Sequence, residues 1–196
     1  MGTLPTRHQG PLFVFGSLLD DDILHVVLGP AAMRSLTRQP AHARGFHRRR
    51  VHGEPFPMLV PHPAPAEAVV DGALLHGLDG EAWSRLRFYE GPGYALHPLE
   101  VEAVEGTADG RERRRRCPAR VFLATERLRD SGHPWDLGHW RRTEKPLALL
   151  MAHGLMALYG KTGPEGPPDA VWEDIKARCR ARLAGDQPSH AGAWGA

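Results

Sequence analysis

Lysine is nearly absent from this chain. Three lysines stand against 22 arginines, and with the acidic residues the formal net charge over 196 residues is only +2. So small an excess does not demand a polyanionic partner. The arginine bias, with 22 glycines and 18 prolines, reads as the imprint of a GC-rich, bacterial genome and not as function. Cysteine is equally scarce. Cys117 and Cys179 stand alone and far apart, which excludes a disulfide framework and suits free thiols in a reducing cytosol. No run approaches 18 apolar residues, so no membrane-spanning helix is expected, and the secretory signal pattern is missing. The opening Met1-Gly2-Thr3-Leu4-Pro5-Thr6 fits an N-myristoylation pattern only formally. The expectation is a cytoplasmic protein without a membrane partner.

Metal chemistry has little to build on. None of the twelve histidines forms an HxxxH or Cys/His ligand pair, and the five-residue spacing of His42, His47 and His52 suits neither a helix face nor one side of a strand. No metal and no cofactor is expected. Ser17 lacks the nucleophile-elbow pattern that would make it an attacking group.

What is present is an ordinary globular composition, 41% hydrophobic and 24% charged, enough for one domain with an added terminal piece. Residues 1–10 read as a loose leader. An apolar run from Leu12 to Phe15 reaches a Gly16-Ser17 turn and then a helix signal. Asp20 suits the N-cap, Asp21 and Asp22 the first turn, and Gly29-Pro30 the end. Short strands are expected in "MRSLTR", "AHARGFHRRRV" and "FPMLVP", then in "AVVDGALLHGL" with Gly72 as a bulge. "YALHPLEVEAVEG" and "PARVFLA" read as strands around a hairpin excursion at 107–116. The remainder reads as helical: one helix to about Lys145, one from Pro146 to Gly160, a linker at 162–170, a last helix over 170–184, and fraying ends at 185–196.

Residues 81–94, "EAWSRLRFYEGPGY", raise the functional question. At 100° per residue Ala82, Trp83, Leu86 and Tyr89 share an apolar arc of roughly 120°. Phe88 is the apolar intruder on the polar side. Glu90 falls inside the apolar arc. Either the helix ends before it and the carboxylate meets water, or it is held at the mouth of an apolar pocket. In the second case desolvation and the helix dipole would raise its pKa toward neutrality, fitting it for general acid–base work. Gly91-Pro92-Gly93 stops the helix and lets backbone approach a ligand, and Tyr94 follows closely enough to supply a hydroxyl. The N-terminal turn has two readings: a plain strand-to-helix turn, since glycine turns are common, or one whose amides from Gly16 to Leu18 form a small concave anion site. It lacks the spaced glycines and Lys-Ser/Thr ending of a phosphate loop, and three aspartates follow it. A single carboxylate is the more credible guest.

Taken together, "FVFGSLL" and, some 70 residues later, "LRFYEGPGY" resemble the gamma-glutamylcyclotransferase-like family. The strands "VDGALLHGL" and "HPLEVEAV" match its layout, and the resemblance covers roughly residues 11–125. It implies an α+β fold: a mixed, mostly antiparallel barrel-like sheet of about six strands with peripheral helices, here with a helical C-terminal extension at 126–184 packed on the core. It implies that Glu90 is the catalytic acid/base, that Phe15, Gly16, Ser17 and Leu18 hold the γ-glutamyl group, and that Tyr94 is a further substrate-binding residue. The implied partner is a small γ-glutamyl substrate, cyclised to 5-oxoproline by a monomer or homodimer without a cofactor. Departures from the family pattern are Arg87 for Asp, Ala95 for Arg, Phe15 for Tyr and Phe122 where a tyrosine is common. Arg87 at the carboxylate would lower its pKa. Two other readings remain: a non-catalytic binding module on the same fold, and a glutathione-directed cyclotransferase. The runs Arg48–Arg50 and Arg113–Arg116 lack interleaved aromatics, so a nucleic-acid partner is disfavoured and a solvated hairpin tip expected.

Overall fold

The computed structural model describes residues 10–106, 112–164 and 169–185. Residues 1–9 of the expected leader, 107–111 of the hairpin, 165–168 of the linker and 186–196 of the C-terminal end lie outside the described residues. Five strands close a barrel in the order β1-β5-β2-β6-β7: β1 (Leu12–Val14), β2 (Thr37–Arg44), β5 (Val69–His76), β6 (Tyr94–Gly106) and β7 (Glu112–Ala124). Every pairing is antiparallel except the closing contact of β1 with β7, where Leu12 faces Arg120. A second sheet, β4-β3-β8, is made by β3 (Phe46–Val51), β4 (Pro57–Pro61) and β8 (Asp130–Pro134). The helices are α1 (Asp21–Met33), α2 (Gly80–Glu90), α3 (Leu137–Thr143), α4 (Lys145–Thr162) and α5 (Asp169–Ala184). The architecture is the α+β, mostly antiparallel barrel with peripheral helices that the family resemblance implied.

The alternation of β1 places it between two cores, because successive strand side chains point to opposite faces. Phe13 and Phe15 turn into the barrel, where Ala41, Ala43 and Ala103 leave room for their rings beside Leu74 and Val121. Leu12 and Val14 turn outward to meet α1, α2 and the indoles of Trp135 and Trp140. A third cluster joins α2 to α4 and α5 through Phe88, Leu155, Tyr159 and Ile175. Phe88 therefore is no exposed intruder. It is buried against the Tyr159 ring, 5.2 Å away edge to face.

Local expectations are corrected at several points. Gly72 is not a bulge, since β5 pairs β2 residue for residue through it. It is a place of close approach, where a Cβ would lie 2.4 Å from the Val14 carbonyl oxygen and 2.6 Å from the Phe13 ring. The helical geometry of α1 stops at Gly29 (φ 79°), where the sequence placed its end, and a second short helical stretch follows to Met33; Arg85 covers the freed carbonyls of Val26 and Val27 at 3.3 and 2.6 Å. "MRSLTR" is mostly the end of α1 and a turn, with β2 starting only at Thr37. Helix α4 runs past Gly160 and stops at Gly163, which takes φ 76°. Arg113–Arg116 are exposed on the hairpin, as expected, but not at its tip. They lie in β7, where Arg114, Arg115 and Arg116 pair with Glu102, Glu105 and Glu100 of β6. Cross-strand pairing of opposite charge is what two long antiparallel strands offer such runs.

Candidate functional site

Each side of the site is built locally. After β1 the chain turns at Gly16, whose lack of a side chain is required because a Cβ there would lie 2.7 Å from the Pro57 ring. The turn closes with Leu19 N–H on the Gly16 carbonyl and Asp20 N–H on Ser17, both at 2.9 Å. The amides of Ser17 and Leu18 have no backbone acceptor among the described residues. Asp20 then caps α1 through Asp22 N–H at 3.2 Å and, though buried, receives Arg141 and Lys145, each at 2.9 Å. Burial would raise its pKa, but hydrogen bonds from Lys145 and Arg141 outweigh that and hold it below the ordinary carboxylate range. The turn is thereby fastened to α3 and α4.

Helix α2 starts at an Asp79 cap, which accepts from Ala82 N–H at 2.8 Å, and runs through Glu90 to Gly91, whose φ of 62° stops it. The carboxylate of Glu90 thus lies inside the helix and not on an exposed exit. It is partly buried and lines a cavity together with Phe15, Gly16, Ser17, Leu18 and Tyr94. Burial pushes its pKa up to about 8. Arg87 is exposed, and no cation opposes the shift among the described residues. Tyr89 and Tyr94 are likewise raised, first by burial and then by the Glu90 charge, with Ser17 pulling the other way on Tyr89.

All six residues singled out from the sequence face this one cavity, and Phe122 joins them. The Tyr94 hydroxyl is already engaged, donating to the Pro57 carbonyl at 2.9 Å. That bond steadies the 55–57 segment, which Trp135 also holds through its indole N–H on Pro55 at 3.0 Å. The Phe15 carbonyl accepts from Arg48 at 2.8 Å, so part of the arginine run at 48–50 supports the turn instead of facing a polyanion. Several lining residues escaped the sequence reading: Phe56, Pro57, Tyr89, Trp140, Met151 and Trp172. Tyr89 was within reach, being the neighbour of Glu90 on the same apolar arc. Trp140 and Trp172 carry no local signal, and both hold a buried indole N–H with no acceptor among the described residues.

Gly91 meets protein, not ligand. A Cβ on it would lie 2.9 Å from the Trp172 indole nitrogen. Among the described residues no group of three or more His, Cys, Asp or Glu is placed to hold a metal ion, and no helix is long and apolar enough to cross a membrane. The site can therefore offer one proton-exchanging carboxyl, a set of turn amides and an apolar wall.

A family model described as gamma-glutamyl cyclotransferase, AIG2-like, matches residues 12–142. The AIG2-like protein B of Arabidopsis thaliana is 28% identical over 138 residues, 70% of this chain and 72% of that protein. Protein AIG2 C of the same plant is 25% identical over 137 residues, 70% and 74% of the two chains. The solution structure of another Arabidopsis thaliana protein covers 83% of this chain and 90% of its own at 21% identity and a TM-score of 0.50. That last likeness is one of fold.

Proposed function

The chain belongs to the AIG2-like gamma-glutamyl cyclotransferase family, matched over residues 12–142, and from that membership we propose that it cyclises γ-glutamyl amines or amino acids to 5-oxoproline. The observation that carries the reading is the position of Glu90 in an apolar cavity wall shared with the Gly16–Leu18 turn. A carboxyl raised to about 8 by burial exchanges its proton near neutrality, as a group that must both take and return one requires.

The steps balance without an added reagent. Glu90 removes a proton from the substrate α-ammonium, and the freed amine attacks the γ-carbonyl carbon. A five-membered ring closes as the carbonyl π electrons move to oxygen, where the amides of Ser17 and Leu18 stabilise the charge. The tetrahedral centre collapses, the bond to the leaving nitrogen breaks, and Glu90 returns its proton to that nitrogen, while the second proton of the former ammonium leaves the ring nitrogen through solvent and is taken up by the departing amine. Nucleophile and electrophile share one molecule, so the protein's main task is to hold the near-attack geometry. Phe15 and Phe122 supply an apolar wall for the glutamyl methylenes.

The deciding experiment measures 5-oxoproline release from a panel of γ-glutamyl amines, γ-glutamyl amino acids and glutathione. The reading expects turnover by the native chain and its loss in Glu90→Gln, which keeps the shape of the side chain and removes its proton exchange. No turnover of any member of the panel would overturn it.

A further inference from the structure

The arginine run of β3 has no part in the proposed reaction. Two of its members hold the scaffold together: Arg49 donates to the Gly132 carbonyl at 2.9 Å, and Arg50 pairs with Glu144. Arg48 is placed differently. Its guanidinium lies over the Trp135 ring, 5.5 Å from the ring centre. It donates to the Phe15 carbonyl at 2.8 Å and more weakly to the Asp71 carbonyl at 3.4 Å. Trp135 is itself held, with its backbone N–H on the Arg48 carbonyl at 3.2 Å and its indole N–H on the Pro55 carbonyl at 3.0 Å. The guanidinium is thereby fixed behind the N-terminal turn.

A cation is costly in that position. The acceptors it meets are carbonyls, not a carboxylate, and its Nε is buried without a partner. Burial pulls its pKa below the ordinary arginine value, against the charges of Asp71 and Asp136. Carbonyl dipoles restore only part of the solvation that such a group gives up. A neutral side chain would cover Trp135 without that loss, so the charge itself has a use. What it acts on is the Phe15 carbonyl, which shares one peptide unit with the Gly16 N–H. That unit is trans, so its N–H points away from the oxygen that Arg48 holds. Gly16 is part of the cavity wall. Its amide, like those of Ser17 and Leu18, has no backbone acceptor among the described residues. A cation on the carbonyl oxygen draws electron density through the peptide and makes the N–H a stronger donor.

We propose that Arg48 is a positioning residue whose guanidinium orients and polarises the Phe15–Gly16 peptide. The Gly16 N–H thereby becomes a third donor, beside those of Ser17 and Leu18, to the charge that develops on the γ-carbonyl oxygen. The inference rests on the proposed cyclisation for the identity of that oxygen. It gives a residue outside the cavity a share in the rate.

The test compares the native chain with Arg48→Met, which keeps the stem over Trp135 and removes the charge, and with Arg48→Lys, which keeps the charge. Release of 5-oxoproline is followed with the panel member that the native chain turns over fastest, well below the melting temperature of each variant and per folded molecule. Arg48→Met should lower kcat about tenfold and leave KM within about twofold, because the donor acts on charge that exists only in the transition state. Arg48→Lys should stay within about threefold of native. An unchanged kcat in Arg48→Met, a change confined to KM, or equal losses in the two variants would overturn the proposal. Nuclear magnetic resonance of the substrate-free chains reads the peptide directly. The Phe15 carbonyl carbon and Gly16 amide nitrogen signals should move upfield in Arg48→Met and return toward their native positions in Arg48→Lys. Unmoved signals in an active enzyme would overturn the proposal and spare the reaction. Moved signals in a chain that releases no 5-oxoproline would refute the reaction and still support the polarised peptide. Arg48→Gln replaces Arg48→Met, with the same expected results, if the latter does not melt cooperatively.

Discussion

The Ser17 hydroxyl and the Tyr89 phenol lie 3.4 Å apart, joining two segments separated by 72 positions. This contact spans the cavity from the N-terminal turn to the residue before Glu90. Its length marks it as a weak bond, and its effect is on the distance between the two halves of the site. Tyr89→Phe should therefore leave the melting temperature within a few degrees of native, while kcat/KM for γ-glutamyl substrates falls about three- to tenfold. Steady-state kinetics beside a thermal melt separates the two effects.

Glu90 should make stability depend on pH in the direction opposite to most carboxylates. Its folded pKa of about 8 lies above its ordinary 4.5. Between those values the folded chain retains a proton that the unfolded chain has lost. Stability thus falls as pH rises from about 5 to 8, by at most about 1.4 kcal/mol per pH unit. Glu90→Gln removes the titration, so urea unfolding of that variant should lack this slope and exceed the native stability at pH 8.

The same group sets the rate profile. At pH 7 about one native molecule in ten carries Glu90 as the carboxylate needed to accept a proton. On the proposed reaction, log kcat/KM rises with unit slope from pH 6 toward 8 and levels off above the Glu90 pKa. A flat profile over that range would remove Glu90 as the proton acceptor.

How much of this was legible depends on how local the cause is. The span of β6 and the cap at Asp20 follow from strand alternation and a capping side chain, both written in neighbouring residues. The Gly16 turn is equally legible, although the reason for the glycine is Pro57, 41 positions on. By contrast β8 reads "DSGHP" and contains no β-branched or aromatic residue. It is a strand only because β3 offers an edge beside Arg49 and Val51. Phe88 looked misplaced because the helices that cover it come some 60 positions or more later. The position of Trp172 has the same origin. No periodicity within α5 announces that its indole reaches Gly91.

Asp20 offers a stability test that is independent of catalysis. Removing its charge leaves Arg141 and Lys145 facing a neutral group, while the N-cap acceptor survives in Asp20→Asn. A fully buried pair broken on one side costs about 3–5 kcal/mol, but both cations here reach solvent, so about 2–3 kcal/mol is expected at pH 7. The folded pKa is depressed, so the contribution is fully present above the ordinary value of 3.8. It is lost as pH falls through the lower folded value. Denaturant unfolding should show native and Asp20→Asn chains converging in strong acid.

Gly91 distinguishes backbone strain from steric conflict. Its φ of 62° disfavours any side chain, and Trp172 stands where a Cβ would go. Gly91→Ala should carry both penalties, with about 1 kcal/mol from the backbone and a further 1–3 kcal/mol from displacing the indole. In a Trp172→Ala background the steric part vanishes and only the backbone part remains, so the two substitutions should be strongly non-additive in unfolding measurements. Additive costs would mean that α5 does not rest on the turn after Glu90.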